Sequence, residues 1–456
     1  MTVATQPASN IASSRARATA ATAGSVAVTT VPVPTATPGP ATQQSAAAQK
    51  TTIIVTSHTT AAQAQNQLSQ HFIQLFRQQH PDIGVDYVTA GGAQINQKVL
   101  IMLASNTPPD VLNMAYPGSG GVADLAVRGV LLKLDSRIAQ DAAFNWQDFW
   151  PAARQANQYQ GAQVAMSGGL GAALLFYNKD LFAAAGRPTP DEAVQNKQWT
   201  WDALVDNAQA MTKRSSPQTL DQAGLGSPED WEVMTWVLIL LHAYGADYMN
   251  ADRTKVILNS DAGVQALQVL YRLGPQLRTM PLQGEAKSNG LITGNRVAQA
   301  IYWMAAAAWW RTASFDWDVA PTPAGPAGNP TYGNVGHLGI ALASKQQDAA
   351  WTYATFMLSP AVDVENAVSY GQMVGRQSDL PAWRKSMGTQ RPHNLALIEA
   401  TARQLSLPPL TKDNPQQSQV DKLFSSEITS LLYEGKSPQE VARTITDQGN
   451  QLLSAT

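Results

Sequence analysis

Strand-like and helix-like segments alternate along this chain from Thr51 onward, and that alternation limits it to a small number of folds. The β-branched run at 52–56 (TIIVT) is typical of a strand that is covered on both faces. A helix with one apolar side follows, marked by Leu68, Phe72, Leu75 and Phe76. The order continues with a strand at 85–88, a helix at 95–104 and a strand at 110–114. This βαβαβ pattern predicts a parallel sheet with helices on both faces.

A second α/β tract begins with a predicted strand at 172–177. The apolar spacing predicts helices at 201–212, 231–244 and 262–273, and the last stretch, 416–453, is helical by the same criterion. The 456 residues leave room for two or three domains of ordinary size. We therefore expect an α/β protein with two structural units.

The first fifty residues differ from the rest of the chain. They contain no aromatic residue, no Asp and no Glu, and mostly consist of Ala, Thr, Ser, Val, Pro and Gln. Such a composition cannot bury enough apolar surface to fold, so 1–50 is predicted to be disordered, with an extended Pro-rich spacer at 29–40. An export signal is not evident there, because the apolar residues are mainly Ala and Val.

Composition excludes several classes of function. Lys and Arg number 31 against 33 Asp and Glu, so no net positive field exists to hold a nucleic acid. Cysteine is absent, which excludes disulfides, thiolate nucleophiles and a lipid attached through a Cys thiol. The six histidines show no metal-ligand spacing, and we expect neither a metal nor a cofactor.

Motifs for catalysis are weak. No serine stands in G-x-S-x-G, and the glycines at 168, 169 and 171 do not complete a dinucleotide-binding loop. Asp230 and Glu232 could serve as the paired carboxylates of a glycosidase. At a helix start the same two residues also complement the helix dipole. We therefore expect no catalytic residue, and an exported glycosidase stays the less favoured alternative.

Seven ordered segments resemble the extracellular solute-binding proteins of ABC importers, family 1, which includes maltose-binding protein. They are NTPPDV at 106–111, LAVRGVLLKLD at 125–135, LFYNKDLFAAAG at 175–186, WTWDAL at 199–204, YGAD at 244–247, GNRVAQAIYW at 294–303 and GKSPQEV at 435–441. The chain departs from the family pattern at Gln299 and Met304, and it lacks the Cys at which a mature lipoprotein of this group begins.

The resemblance implies a two-lobed periplasmic-binding-protein fold of type II. Each lobe would be a mixed, mostly parallel sheet flanked by helices, with the ligand in a cleft that closes by hinge motion. Lobe one is expected at 51–168 plus 336–370, and lobe two at 170–335 plus 372–456. Glycines at 168–171, 333–339 and 371–375 flank the three expected crossings between the lobes.

The resemblance also implies where ligand would bind, at strand ends beside the cleft. Polar side chains follow the first and third strands, and aromatic and charged residues mark the second lobe. The expected ligand-binding residues are Ser57, His58, Thr59, Asn113, Tyr116, Ser119, Asp230, Trp231, Trp303 and Arg376. Short polar groups would bind sugar hydroxyls, and the indoles would stack on sugar C–H faces. Arg376 could instead form a salt bridge between the lobes.

A monomeric, non-catalytic carbohydrate receptor outside the cytoplasm, in the periplasm or on the outer face of the cell membrane, is the function that the resemblance implies. It would deliver its ligand to the membrane permease of an ABC importer. A non-sugar solute, such as a polyamine, a phosphate ester or an amino acid, is the alternative within the same class. Carboxylates in the cleft would favour a cation, and two or more arginines would favour an anion.

Overall fold

The computed structural model describes residues 51–59, 63–91, 94–114, 121–226, 233–281, 285, 288–330, 332–405, 407, 410 and 416–454. These residues belong to a single unit, Ala47–Thr456. The expected disorder of 1–50 lies outside the described residues. Within the described part of the chain, no helix is long and apolar enough to cross a membrane.

Strands and helices alternate through most of this unit. The strands are β1 (Thr51–Thr59), β2 (Ile83–Gly91), β3 (Val111–Asn113), β4 (Gln158–Tyr159), β5 (Ala162–Gln163), β6 (Leu170–Asn178), β7 (Lys213–Ser216), β8 (Thr219–Gln222), β9 (Gln299–Trp303), β10 (Trp317–Ala320), β11 (Gly333–Val335) and β12 (Leu338–Ile340). The helices are α1 (Gln63–Gln79), α2 (Gln94–Ala104), α3 (Val122–Val127), α4 (Asp135–Gln140), α5 (Pro151–Gln155), α6 (Lys179–Ala184), α7 (Pro190–Gln195), α8 (Trp201–Met211), α9 (Val233–Ala243), α10 (Asp261–Tyr271), α11 (Ser288–Thr293), α12 (Ala307–Trp310), α13 (Gln347–Met357), α14 (Pro360–Tyr370), α15 (Leu380–Met387), α16 (Leu395–Gln404), α17 (Gln417–Thr429) and α18 (Pro438–Ser454).

The first sheet confirms the βαβαβ prediction. Its strand order is β12-β3-β1-β2, and β1 pairs in parallel with both β2 and β3. Ile53 and Val55 of β1 are buried together with Phe72 and Phe76 of α1, because the apolar stripe of that helix faces the sheet. β12 joins β3 in antiparallel orientation, as the chain returns to this sheet late in the sequence.

The second sheet is built around β6, every residue of which is buried. Leu175 and Tyr177 pack into one apolar cluster, whereas Leu174 and Phe176 pack into another on the opposite face. The strands β9, β10 and β11 all pair with β6 in antiparallel orientation. The expectation of a mostly parallel sheet is therefore wrong for this half. The reason is topological, because β6 runs away from the first sheet and its neighbours run back towards it.

The predicted helices of the second half are confirmed with small shifts of their ends. α8 and α10 begin and end within two residues of the predicted bounds. The predicted start of α9 at 231 lies outside the described residues. The C-terminal stretch is divided into α17 and α18, with a π-helical turn at Ser430–Glu434 and a left-handed Gly435 between them.

Three segments that connect the two sheets lie side by side. We call them the first crossing (166–170), the second crossing (335–338) and the third crossing (371–376). Leu170 forms backbone bridges with Val335 on the second crossing and with Met373 on the third. A Cβ atom on Gly375 would lie 2.2 Å from the carbonyl oxygen of Gly168, so the third crossing can approach the first this closely only because residue 375 is glycine. The exact lobe boundaries stay a prediction.

Candidate functional site

An aromatic pair lies at the end of the second sheet that is nearest to the crossings. Trp303 ends β9 and pairs with Ala173 of β6, and the Ala173 amide donates to the Tyr332 carbonyl at 2.9 Å on the other side. The two rings therefore flank the small Ala173 side chain on one face of the sheet, 5.8 Å apart and tilted by 43°. Both residues are half-buried, so part of their ring surface is open to a ligand.

Two polar side chains, His242 and Asp247, lie beside this aromatic pair. The His242 ring lies 6.1 Å from the Tyr332 ring, and its Nε2 is 3.3 Å from a carboxylate oxygen of Asp247. The His242 and Asp247 side chains are 34% and 46% exposed. We call Trp303, Tyr332, His242 and Asp247 the aromatic cluster.

Electrostatics fix the protonation of two members of the aromatic cluster. Burial and the negative charge of Asp247 raise the pKa of Tyr332 to about 12, so its hydroxyl stays protonated and can donate a hydrogen bond. Burial alone would raise the pKa of Asp247, but His242 and the backbone N–H groups of Tyr248 and Met249 hold that pKa below its usual value. The cluster thus offers two ring faces, one hydroxyl donor and one carboxylate.

The first sheet contributes polar residues at the ends of β1 and β3. Ser57, His58 and Thr59 lie inside β1, which extends three residues beyond the C-terminal end of the predicted strand, so the expectation that they follow the strand is wrong. Ser57 is half-buried, whereas the side chains of His58 and Thr59 lie outside the described residues. Asn113, which was expected to follow the third strand, is the last residue of β3; it is half-buried and pairs with Leu338 at the end of the second crossing.

The second crossing connects the aromatic cluster on the second sheet to Asn113 on the first sheet. Leu338, the partner of Asn113, follows Tyr332 by six positions, which span at most about 20 Å of extended chain. A Cβ atom on Gly336 between them would meet nothing within 4 Å, so this part of the crossing borders open space. The aromatic cluster and Asn113 are thus placed on either side of one crossing.

The structure corrects the expectation for Arg376. This residue is 5% exposed, and its guanidinium donates to the carbonyls of Leu358 at 3.1 Å and Phe144 at 2.8 Å. It also stacks 4.3 Å from the Phe149 ring and lies 4.0 Å from an oxygen of Asp148. Because these contacts use its hydrogen-bonding groups inside the protein, Arg376 anchors the third crossing and is not presented to a ligand.

Four other expected residues, Tyr116, Ser119, Asp230 and Trp231, lie outside the described residues, as does Glu232. Sequence reasoning found Trp303 but missed Tyr332, His242 and Asp247. Asp247 stands in the family-like YGAD segment at 244–247, and Tyr332 directly precedes a glycine next to a crossing. These two features could have identified both residues as candidates from the sequence. His242 had none, because its position depends on how α9 crosses the sheet.

The sequence matches the family of bacterial extracellular solute-binding proteins over residues 56–364. That match covers more than half of the chain, and the protein belongs to this family. Its members are extracytoplasmic binding proteins. A comparison with curated proteins finds no match.

Solved structures show the same two-lobed fold. An ABC substrate-binding protein from Listeria monocytogenes in complex with cycloalternan has a TM-score of 0.76 at 22% identity, covering 89% of this chain and 100% of that one. The GacH receptor of Streptomyces glaucescens, whose structures include a complex with acarbose, has a TM-score of 0.71 at 21% identity, with 89% and 99% covered. UgpB from Mycobacterium tuberculosis in complex with glycerophosphocholine has a TM-score of 0.71 at 17% identity, with 88% and 98% covered.

Proposed function

We propose that this protein is a carbohydrate receptor that binds a mono- or oligosaccharide between its lobes and delivers it to the permease of an ABC importer. The observation that carries the proposal is the aromatic cluster beside the second crossing. A sugar ring presents C–H groups on its faces and hydroxyls around its rim. Trp303 and Tyr332 suit the faces, and Asp247 with the Tyr332 hydroxyl suits the rim.

The proposal includes the remaining properties that the family makes expected. The receptor works as a monomer in the periplasm or on the outer face of the cell membrane, it binds no nucleic acid, and it performs no catalysis. Similarity to proteins solved with cycloalternan and acarbose supports a sugar ligand. Lobe one at 51–168 plus 336–370 and lobe two at 170–335 plus 372–456 remain part of the proposal.

A phosphate ester is the second candidate ligand, because one structural relative was solved with glycerophosphocholine. An anionic ligand needs a cationic partner in the cleft. Arg376, the expected cation, is occupied by backbone carbonyls, and the charged acid of the aromatic cluster is Asp247. This distribution favours a neutral ligand over an anionic one.

The test is a calorimetric titration of the full chain with glucose, maltose and maltotriose, and with glycerophosphocholine, putrescine and amino acids as competing classes. We expect saturable binding of a saccharide, and a gain in unfolding free energy of about 2.7 kcal/mol at a ligand concentration one hundred times Kd. Trp303→Ala is expected to weaken binding at least about tenfold, because it removes a stacked ring. Trp309→Ala is the matched control, because that indole is 38% exposed and outside the aromatic cluster.

Binding of only a charged compound would overturn the sugar ligand and keep the family. Equal saccharide affinity in Trp303→Ala and the unmodified protein would overturn the role of the aromatic cluster. Turnover of a glycoside that is lost in Asp230→Asn or Glu232→Gln would overturn the receptor function and support the glycosidase alternative.

A further inference from the structure

A second pocket lies in the first half of the chain, away from the aromatic cluster. It has a volume of about 440 Å³ and opens between α4, the segment 141–147, α5 and the β4–β5 hairpin. Small-molecule sites generally have volumes of about 300–1,000 Å³. We call it the α4 pocket. Nothing in the proposed function uses it.

The walls of the α4 pocket are held in place by buried contacts. Gln163 is 4% exposed, and its amide donates to the carbonyls of Arg154 at 3.1 Å and Ala165 at 2.8 Å. Trp146 is 5% exposed and stacks on Phe144 with 5.8 Å between ring centroids and 9° between planes. A pocket whose walls are fixed before binding loses little conformational freedom when a ligand enters.

Three polar groups that line the α4 pocket lack partners among the described residues. The Nε–H of Arg154 is buried without an acceptor, although the Nη1 of the same side chain donates to Gln147. The side-chain amides of Asn145, which is exposed, and Gln158, which is half-buried, line the pocket and form no hydrogen bond to another described residue. A buried N–H without a partner costs about 1–3 kcal/mol, so an acceptor supplied by a ligand would be stabilising.

Two carboxylates, Asp135 and Asp141, and one guanidinium, Arg154, line the α4 pocket. Both carboxylate oxygens of Asp141 are used by the protein, one by the Phe144 amide at 3.1 Å and the other by the Trp351 indole at 3.0 Å. Among the described residues, Asp135 accepts from the Gln163 backbone amide, and its carboxylate keeps further acceptor capacity. Asp135 and the Arg154 guanidinium therefore keep hydrogen-bonding capacity for a ligand, and the excess of one carboxylate over the cations disfavours an anion.

We propose that the α4 pocket is an accessory binding site for a neutral polyhydroxylated compound of monosaccharide or disaccharide size. Each hydroxyl both donates and accepts a hydrogen bond, as does each amide of Asn145 and Gln158. The Arg154 guanidinium donates to a hydroxyl oxygen, and Asp135 accepts from a neighbouring hydroxyl. Ile138 on α4 supplies the apolar surface against which the C–H groups pack.

Nuclear magnetic resonance of the full chain tests this site. Resonances of the Arg154 Nε–H and the Trp146 indole N–H are followed during titration with glucose, myo-inositol and trehalose, and with glycine and malonate as charged probes. We expect saturable shifts of both resonances with at least one neutral probe. Trp303→Ala is expected to leave these shifts unchanged, so failure of the cleft to bind sugar and failure of the α4 pocket are separate results.

Two variants and one control decide the role of Arg154. Arg154→Met and Arg154→Lys, the second of which keeps the charge but loses the planar fork, are expected to weaken this binding at least about tenfold, followed by the Trp146 resonance. Arg137→Met is the control, because that arginine pairs with Asp348 outside the pocket. Unshifted resonances with every neutral probe, or equal affinity in the Arg154 variants, would overturn the site. Saturation by glycine or malonate alone would overturn the ligand class.

Discussion

Replacement of Asp363 by asparagine is expected to stabilise the protein at neutral pH and to change how its stability depends on pH. Asp363 is 3% exposed on α14, and one of its carboxylate oxygens accepts from the amides of Gly375 at 2.7 Å and Arg376 at 3.2 Å. Burial raises the pKa of Asp363 to about 7, and the nearby Asp379 adds to that effect, although the two amide donors oppose it. The Asp363 side chain thus stabilises the third crossing, but burial makes ionisation of its carboxyl group unfavourable.

The magnitude follows from the difference between the folded and unfolded pKa values of Asp363. Between pH 3.8, the ordinary value, and about 7, the folded state keeps a proton that the unfolded state releases, so stability falls as the pH rises. One pH unit in this window corresponds to about 1.4 kcal/mol. The folded protein therefore loses about 4 kcal/mol across the window through this group, and about 3 kcal/mol of that loss falls between pH 5 and 7. Asparagine keeps an acceptor for the two amides but cannot ionise.

Urea unfolding of the full chain, followed by circular dichroism at pH 5, 6, 7 and 8, measures this difference. The stability of Asp363→Asn relative to the unmodified protein is expected to rise by about 3 kcal/mol from pH 5 to 7 and then to level off. Asp348→Asn, in which the replaced side chain is 97% exposed, is the surface control measured beside it. A pH-independent difference for Asp363→Asn would refute the reasoning.

Three further changes test other parts of the structure. Gly375→Ala would place its Cβ 2.2 Å from the Gly168 carbonyl oxygen and is expected to destabilise the protein by about 1–3 kcal/mol in urea unfolding. Gly336→Ala is the control and should have little effect, because its Cβ would meet nothing within 4 Å. Equal effects of the two changes would contradict the close approach of the crossings. Burial lowers the pKa of His337 to about 4, so this group makes stability fall as the pH drops from about 6.5 to 4. His337→Gln should remove that part of the pH dependence of unfolding. An unchanged pH profile would show that His337 does not contribute to the pH dependence. Phe176→Ala empties a fully buried position of β6 and is expected to cost about 3–5 kcal/mol in the same assay; a cost under about 1 kcal/mol would mean that the second sheet is not packed as described.

The fold could be predicted from the sequence where local pattern and tertiary environment agree. β6 is a continuous apolar strand because both of its faces are covered, and the β-branched run 52–56 lies inside β1; each strand was found from its pattern. Strand direction in the second sheet could not be predicted in this way. The apolar pattern of a buried strand is the same in either direction, so only the connections of β9, β10 and β11 to the rest of the chain decide it.

The candidate site was less predictable because its members come from distant parts of the chain. Trp303 was found because it ends a strand, and strand ends border clefts in α/β proteins. Tyr332 and His242 are 90 residues apart in sequence and meet only because α9 packs across the second sheet. Arg376 was misjudged for a related reason, since the sequence shows a cation near a crossing glycine but not the carbonyls of Phe144 and Leu358 that surround it.

The burial of Arg376 links the hinge region to the choice of ligand. The third crossing passes over a buried acid, Asp363, and the arginine that follows is held by backbone carbonyls and by the Phe149 ring. Because those contacts stabilise the crossing, the guanidinium cannot also turn towards a ligand without leaving polar groups unpaired inside the protein. The aromatic cluster on the open side then contributes ring faces, a protonated hydroxyl and a carboxylate paired with His242. Such groups suit a neutral, hydroxylated ring better than a phosphate, and this difference in chemistry is the physical reason for proposing a sugar as the ligand.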